Sequence, residues 1–195
     1  MARHRVPDQA ALREAMIAYQ AGSSDGFNRV YAALAGLLHR YLASLVRDQS
    51  LADDLVQETF LRIHRSRRTY SPAYPVLPWV FAIARHVYLM NRRASVRRGR
   101  HEVECTVATP EPASRSTADA ALARDELARA LAQVPPDRRE AVVLHHIVGL
   151  AFRDVARALG ISETAAKLRS SRGFANLRRI MVGASRERAR MSDER

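Results

Sequence analysis

Apolar residues recur at three- and four-residue steps through most of this chain, and strand-like alternation never persists. That pattern predicts an all-α protein. Leu12, Ala15, Met16 and Tyr19 mark a first helix, with Asp8 placed to cap it and Gly22 to stop it. A second opens at Ser23, Ser24 or Asp25 and carries Phe27, Val30, Tyr31, Leu34, Leu37, Leu38, Tyr41 and Leu45. A third runs from about Ser50 to Arg67, with Leu51, Leu55, Thr59 and Ile63 in register. Residues 70–75 read as a loop because of their prolines. Pro78 suits the first turn of a fourth helix, whose apolar face is expected to be Trp79, Ile83, Val87 and Met90.

The periodicity then breaks. Glu102 to Thr117 holds two prolines and several serines and threonines, which predicts a flexible linker. Helical spacing resumes at Asp119 with Leu122, Leu127, Leu131 and Val134. Pro135-Pro136-Asp137 closes that helix and opens another, through Val142, Val143, Leu144 and Ile147 to Gly149. A short helix, Phe152 to Leu159, stops at Gly160, and Ser162 caps a last one to about Val182. The expected organisation is two small helical domains, residues 1–98 and 119–183, joined by a linker over 99–118. A charged, frayed tail is expected over 184–195.

Charge narrows the function. The net charge is +12, which implies a polyanionic partner, nucleic acid or an anionic membrane. The longest apolar run, Val76 to Ala84, is interrupted by Pro78 and is too short to span a membrane. The basic N-terminus lacks the apolar run of a signal peptide. These features predict a soluble, cytoplasmic protein. The single cysteine, Cys105, rules out an internal disulfide and a cysteine-cluster metal site.

The basic residues are concentrated. Thr59 to His101 holds ten arginines, no acid, and half of the twelve aromatic residues: Phe60, Tyr70, Tyr74, Trp79, Phe81 and Tyr88. Guanidinium forks grip phosphate and ring faces accept unstacked bases. The segment just before it is acidic: Asp53, Asp54 and Glu58 flank Leu55 and Gln57. Polarity therefore reverses inside one helix at Arg62 and Arg65, predicting a protein partner beside a nucleic-acid partner. No histidine or third carboxylate stands at ligand spacing from Asp54 and Glu58, and neighbours His145 and His146 point apart on a helix, so no metal or other cofactor is expected. Near the C-terminus, Gly160-Ile161-Ser162 between a short helix and a basic one is the helix-turn-helix pattern. Ala166, Ser170, Gly173 and Leu177 form the packing face of the basic helix, with Leu168 off it.

Four segments in order carry a resemblance: Asp53-Asp54-Leu55-Val56-Gln57-Glu58-Thr59-Phe60-Leu61-Arg62, Pro78 to His86, Pro135 to Ala141, and Gly149 to Ala156. Together they resemble an extracytoplasmic-function sigma factor of bacterial RNA polymerase. The resemblance implies a non-catalytic polymerase subunit that selects promoters and helps open them, under the control of an anti-sigma factor. It implies that Asp53, Asp54, Leu55, Gln57 and Glu58 dock on the clamp helices of the largest polymerase subunit. It implies that Arg62, Arg65, Trp79, Arg85, His86, Arg92 and Arg93 meet the minus-ten element. It implies that Ser162, Thr164, Lys167, Arg169, Ser171 and Arg172 read the minus-thirty-five element, in a domain that also docks on the polymerase flap. The chain departs from the family's usual pattern at His86, where asparagine is common, and at Thr164-Ala165-Ala166-Lys167-Leu168. A stand-alone helix-turn-helix regulator is the alternative, but it leaves residues 53–100 without a purpose.

Overall fold

The computed structural model describes residues 7–46, 48–97 and 115–193, apart from the side chains of 115–122, 124 and 184–193. Cys105 and most of the expected linker lie outside the described residues. Among the described residues eight α-helices follow one another: α1 (Gln9–Gln20), α2 (Ser24–Leu45), α3 (Gln49–Ser66), α4 (Val76–Arg97), α5 (Arg115–Ala132), α6 (Pro136–Val142), α7 (Phe152–Leu159) and α8 (Glu163–Asp193). A 3-10 turn, Arg67–Thr69, follows α3, and a π turn, Val143–Ile147, follows α6. No strand occurs among the described residues.

Local chemistry sets the helix starts. Asp8 accepts a hydrogen bond from the Ala10 amide, Ser23 from Gly26, Asp48 from Ser50 and Leu51, and Ser162 from Ala165. Each cap satisfies an amide that has no partner inside its helix. Pro136 stands in the first turn of α6. Gly160 ends α7 with φ of 66°, a left-handed conformation suited to glycine.

Helices α1 and α2 form a tight hairpin. A Cβ on Gly26 would lie 2.6 Å from the Tyr19 amide nitrogen and 2.9 Å from the Ala15 carbonyl oxygen. The two backbones touch there, and only glycine fits. Across the hairpin lie α3 and α4, and the core holds Met16, Leu34, Leu38, Tyr41, Ile63, Leu77 and Phe81. The second helical region, α5 to α8, packs α8 across α6, with Ala166, Ser170, Gly173 and Leu177 buried as expected. The two regions also pack on each other. Helix α7 lies along α4, while α5, α6 and the π turn meet α2, so one apolar core runs through both.

Three expectations change. The buried stripe of α4 is Leu77, Val80, Phe81, Ala84, Val87 and Tyr88, whereas Trp79 and Ile83 are half-buried and Met90 is exposed. Helix α4 has α1, α2, α3 and α7 as neighbours, so apolar residues surround most of it and periodicity does not single out one stripe. The α-helix after Pro136 ends at Val142 and widens into the π turn, closed by the Val148 amide on the Val143 carbonyl. Helix α8 continues to Asp193, because nothing after Gly183 breaks a run of arginine, glutamate, alanine and methionine.

Gly26→Ala is expected to destabilise the protein by about 1–3 kcal/mol through backbone overlap. Gly36→Ala, whose Cβ would meet nothing closer than Arg40 at 3.6 Å, should add about 0.5–1 kcal/mol. Opposite shifts of the thermal midpoint, followed by circular dichroism, check the pair.

Candidate nucleic-acid interface

Helix α3 carries the change of polarity on one exposed face. Asp53, Asp54 and Gln57 project to solvent, and Asp53 pairs with His39 at 3.3 Å. One turn on, Glu58 Oε1 accepts from Arg62 Nε at 2.7 Å, so the last acid and the first arginine are joined. Arg65 and Arg68 follow, both exposed. Leu55 does not belong to this surface. It is buried at 3% exposure beneath the acidic face and packs into the core, so it cannot touch a docking partner. Within a contiguous motif, the helical repeat turned it inward.

A set of hydrogen bonds shapes the segment after α3. The side-chain amide of Gln20, at the end of α1, donates to the carbonyls of Arg67 at 2.7 Å and Tyr70 at 2.8 Å. The Tyr19 hydroxyl pairs with His64 Nδ1 at 2.7 Å, and the Arg67 guanidinium lies 5.8 Å from the Tyr19 ring centre. Burial raises the Tyr19 hydroxyl pKa, with the Arg67 charge opposing it. A cleft of about 310 Å³ opens here, lined by Tyr19, Gly22, Ser23, Ser24, Phe27, His64 and Arg67. Buried Tyr70 donates its hydroxyl to the Tyr74 carbonyl at 2.7 Å and packs its ring 5.4 Å from that of Trp79. Tyr74 is left 60% exposed on a braced loop.

Helix α4 continues the cationic surface. Trp79, His86, Met90 and Arg93 fall on one side of it, with Trp79 half-buried and the other three exposed. Arg92 is also exposed, on another side of the helix. Phe60 and Phe81, two rings of the aromatic set, are core. Arg85 departs from the expected set. Its Nε donates to Glu140 Oε2 of α6 at 2.7 Å, so in this conformation it faces the second helical region rather than open solvent. Glu140 is only 6% exposed. Tyr41 beside the pair is fully buried, its hydroxyl has no hydrogen-bond partner, and burial together with the Glu140 charge pushes its pKa well up.

The other cationic face is on α8. Thr164, Lys167, Leu168, Ser171 and Arg172 are exposed, and Arg169 is half-buried. Ser162 is also exposed, with its hydroxyl engaged as the cap. Two acids restrain the cations: Lys167 pairs with Glu163 at 2.8 Å, and Arg169 lies 3.8 Å from Asp137. The Lys167 hydrogen bond and charge hold the Glu163 carboxyl below its usual range. A Cβ on Gly173 would come 2.6 Å from Val142 Cγ2, so close contact with α6 sets the pitch at which α8 is presented. Half-buried His145 stacks on Phe152 at 3.9 Å, and exposed His146 stacks on exposed Phe174 at 4.8 Å. Burial and the neighbouring His145 lower the His146 pKa. Among the described residues no three His, Cys, Asp or Glu side chains form a metal site.

Sequence reasoning passed over Gln20 and Glu140. Nothing local marks Gln20, because its partners lie 47 and 50 residues away. Glu140 did leave a signal, an acid directly ahead of the apolar run Ala141-Val142-Val143-Leu144. Such an acid, once buried, demands a cation.

The chain matches the Sigma-70 region 2 family model over residues 30–98 and the Sigma-70 region 4 model over residues 124–177. It is 37% identical over 176 residues to the RNA polymerase sigma factor CarQ of Myxococcus xanthus, covering 88% of this chain and 98% of that one. It is 29% identical over 194 residues to the sigma factor BldN of Streptomyces coelicolor, covering 94% and 72% respectively. Among solved structures, CnrH in complex with the cytosolic domain of CnrY superposes with a TM-score of 0.67 at 25% identity, covering 89% of this chain and 98% of that one. The fold is also that of the sigma factor RpoE of Bartonella quintana, in complex with the anti-sigma factor NepR, with a TM-score of 0.68 at 23% identity, covering 80% and 96%.

Gln20→Ala is expected to loosen the Arg67–Tyr74 segment while leaving the helices formed. Loss of two hydrogen bonds should cost about 1–3 kcal/mol. Hydrogen exchange checks this: amides of residues 70–74 should exchange faster while those of α2 keep their protection.

Proposed function

This chain belongs to the extracytoplasmic-function sigma factors, and from that membership we propose how its surfaces are shared among polymerase, promoter and regulator. Asp53, Asp54, Gln57 and Glu58 form the dock for the clamp helices of the largest polymerase subunit. Arg62, Arg65, Trp79, His86, Arg92 and Arg93 take the minus-ten element and hold its opened strand. Thr164, Lys167, Arg169, Ser171 and Arg172 read the minus-thirty-five element, with Ser162 fixing the start of that helix. The second helical region also docks on the flap. These processes place the protein in the cytoplasm.

The observation that carries this reading is the junction on α3, where Glu58 and Arg62 meet at 2.7 Å between an acidic face and a cationic one. A partner bound on one side ends where the other begins. No covalent chemistry is asked of the protein, and sigma factors act as non-catalytic initiation subunits. Duplex opening follows from differential binding: phosphates attract the arginines in both states, but only an unpaired strand offers base faces. Each stacked base contributes about 1–3 kcal/mol to the open form alone. An anti-sigma factor holds the free protein inactive. This is supported by the RpoE structure with NepR and by the likeness to CnrH, solved with CnrY.

Reconstituted run-off transcription tests the function. Core polymerase with this protein should yield promoter-dependent transcripts from a genomic library, and core alone should not. Absence of any such transcript would refute the reading. Asp54→Arg should weaken core binding about tenfold in a fluorescence titration while the helical spectrum stays unchanged. Arg172→Ala should lower the slope of log affinity against log salt by about 1 on upstream duplex DNA.

A further inference from the structure

Two arginines of the expected minus-ten set are held by acids of the same chain: Arg62 by Glu58 on its own helix, and Arg85 by Glu140 from the second helical region. Arg85 immediately precedes His86 on α4 and lies two turns before Arg92, on a helix whose far end is cationic and exposed. Its Nε meets Glu140 Oε2 at 2.7 Å, and the carboxylate is held at 6% exposure by α6. Carboxylate and phosphate oxygens present the same acceptor to a guanidinium. Around this pair α7 lies along α4, and α5, α6 and the π turn lie against α2, with apolar side chains continuous across the joint. Beside this pair the Tyr41 hydroxyl is enclosed with no hydrogen-bond partner, and its ring centre lies 5.3 Å from that of Phe81.

We propose that Glu140 is an intramolecular latch, its carboxylate occupying Arg85 in place of a promoter phosphate and holding the two helical regions closed on each other. In the closed form Arg85 is unavailable to DNA, and the minus-ten and minus-thirty-five surfaces are locked at one fixed separation. Opening exchanges Glu140 for phosphate at the same guanidinium. The orphaned Tyr41 hydroxyl weakens the closed form, since water can reach it only when the joint parts. Closure is thus strong enough to hold and poor enough to release. The value of the latch for promoter opening rests on the sigma-factor reading above, but the closure itself does not.

The test uses the full chain carrying Cys105→Ser, labelled for energy transfer at Asn28→Cys and Gln133→Cys, both exposed positions, one in each region. Binding is read separately with a fluorescent oligothymidine of about 12 nucleotides. Glu140→Gln should lower transfer and raise oligonucleotide affinity about three- to tenfold. Tyr41→Phe, which removes the orphaned hydroxyl, should raise transfer and weaken oligonucleotide binding. Unchanged transfer and affinity in both variants would overturn the latch, as would the same direction of change in both. If Glu140→Gln loses helical circular dichroism, Tyr41→Phe decides alone, because unfolding cannot produce tighter closure. A chain that closes as expected but supports no transcription refutes the sigma-factor assignment and leaves the latch standing. Transcription by a chain with no closed form refutes the latch alone.

Discussion

Helix α4 has to be buried on most of its circumference and still present cations to solvent, and the architecture follows from how that conflict is met. Its first half supplies Leu77, Val80, Phe81 and Ala84 to a core shared with α2 and α3, and α7 leans on it from the second region. Its second half emerges as His86, Arg92 and Arg93. Arg85 sits at the crossover, half-buried, where a guanidinium needs an anion. Glu140 meets that need. Removing either partner of such a pair leaves a poorly solvated charge, commonly a loss of about 3–5 kcal/mol where both are fully buried. With Arg85 30% exposed, the loss here is smaller.

Hydrogen bonds between distant segments then shape what the helices carry. Gln20 ties the end of α1 to the turn after α3, and the paired Tyr19 and His64 brace the same corner. The loop bearing Tyr74 is held at both ends, by Gln20 at the Tyr70 carbonyl and by the Tyr70 hydroxyl at the Tyr74 carbonyl. A braced loop presents an aromatic ring with little ordering cost on binding. In the second region close packing does the equivalent work, because Gly173 lets α8 rest against Val142 and Arg138 of α6.

Residue spacing revealed much of this in advance. The caps at Asp8 and Ser162, the stop at Gly160 and the packing face of α8 were all readable, and the cap of α2 was narrowed to three residues, since each depends on neighbours within one or two turns. So was the reversal of charge along α3. Leu55 shows where a contiguous motif misleads: residues spread over six successive positions cannot all face one partner on a helix. The α4 face was ambiguous because a helix with four neighbours has no single apolar stripe.

The sequence by itself determined the helices, their order, the acidic and cationic stretches and the helix-turn-helix, because helix geometry and charge are local properties. Only the tertiary structure decided that Leu55 is core, that Arg85 pairs with Glu140 across 55 residues, and that Gln20 clamps a turn 47 residues away. Those outcomes depend on which surfaces meet when the core closes. A buried charge or amide takes whatever partner that packing brings within hydrogen-bond reach, and no spacing along the chain encodes it.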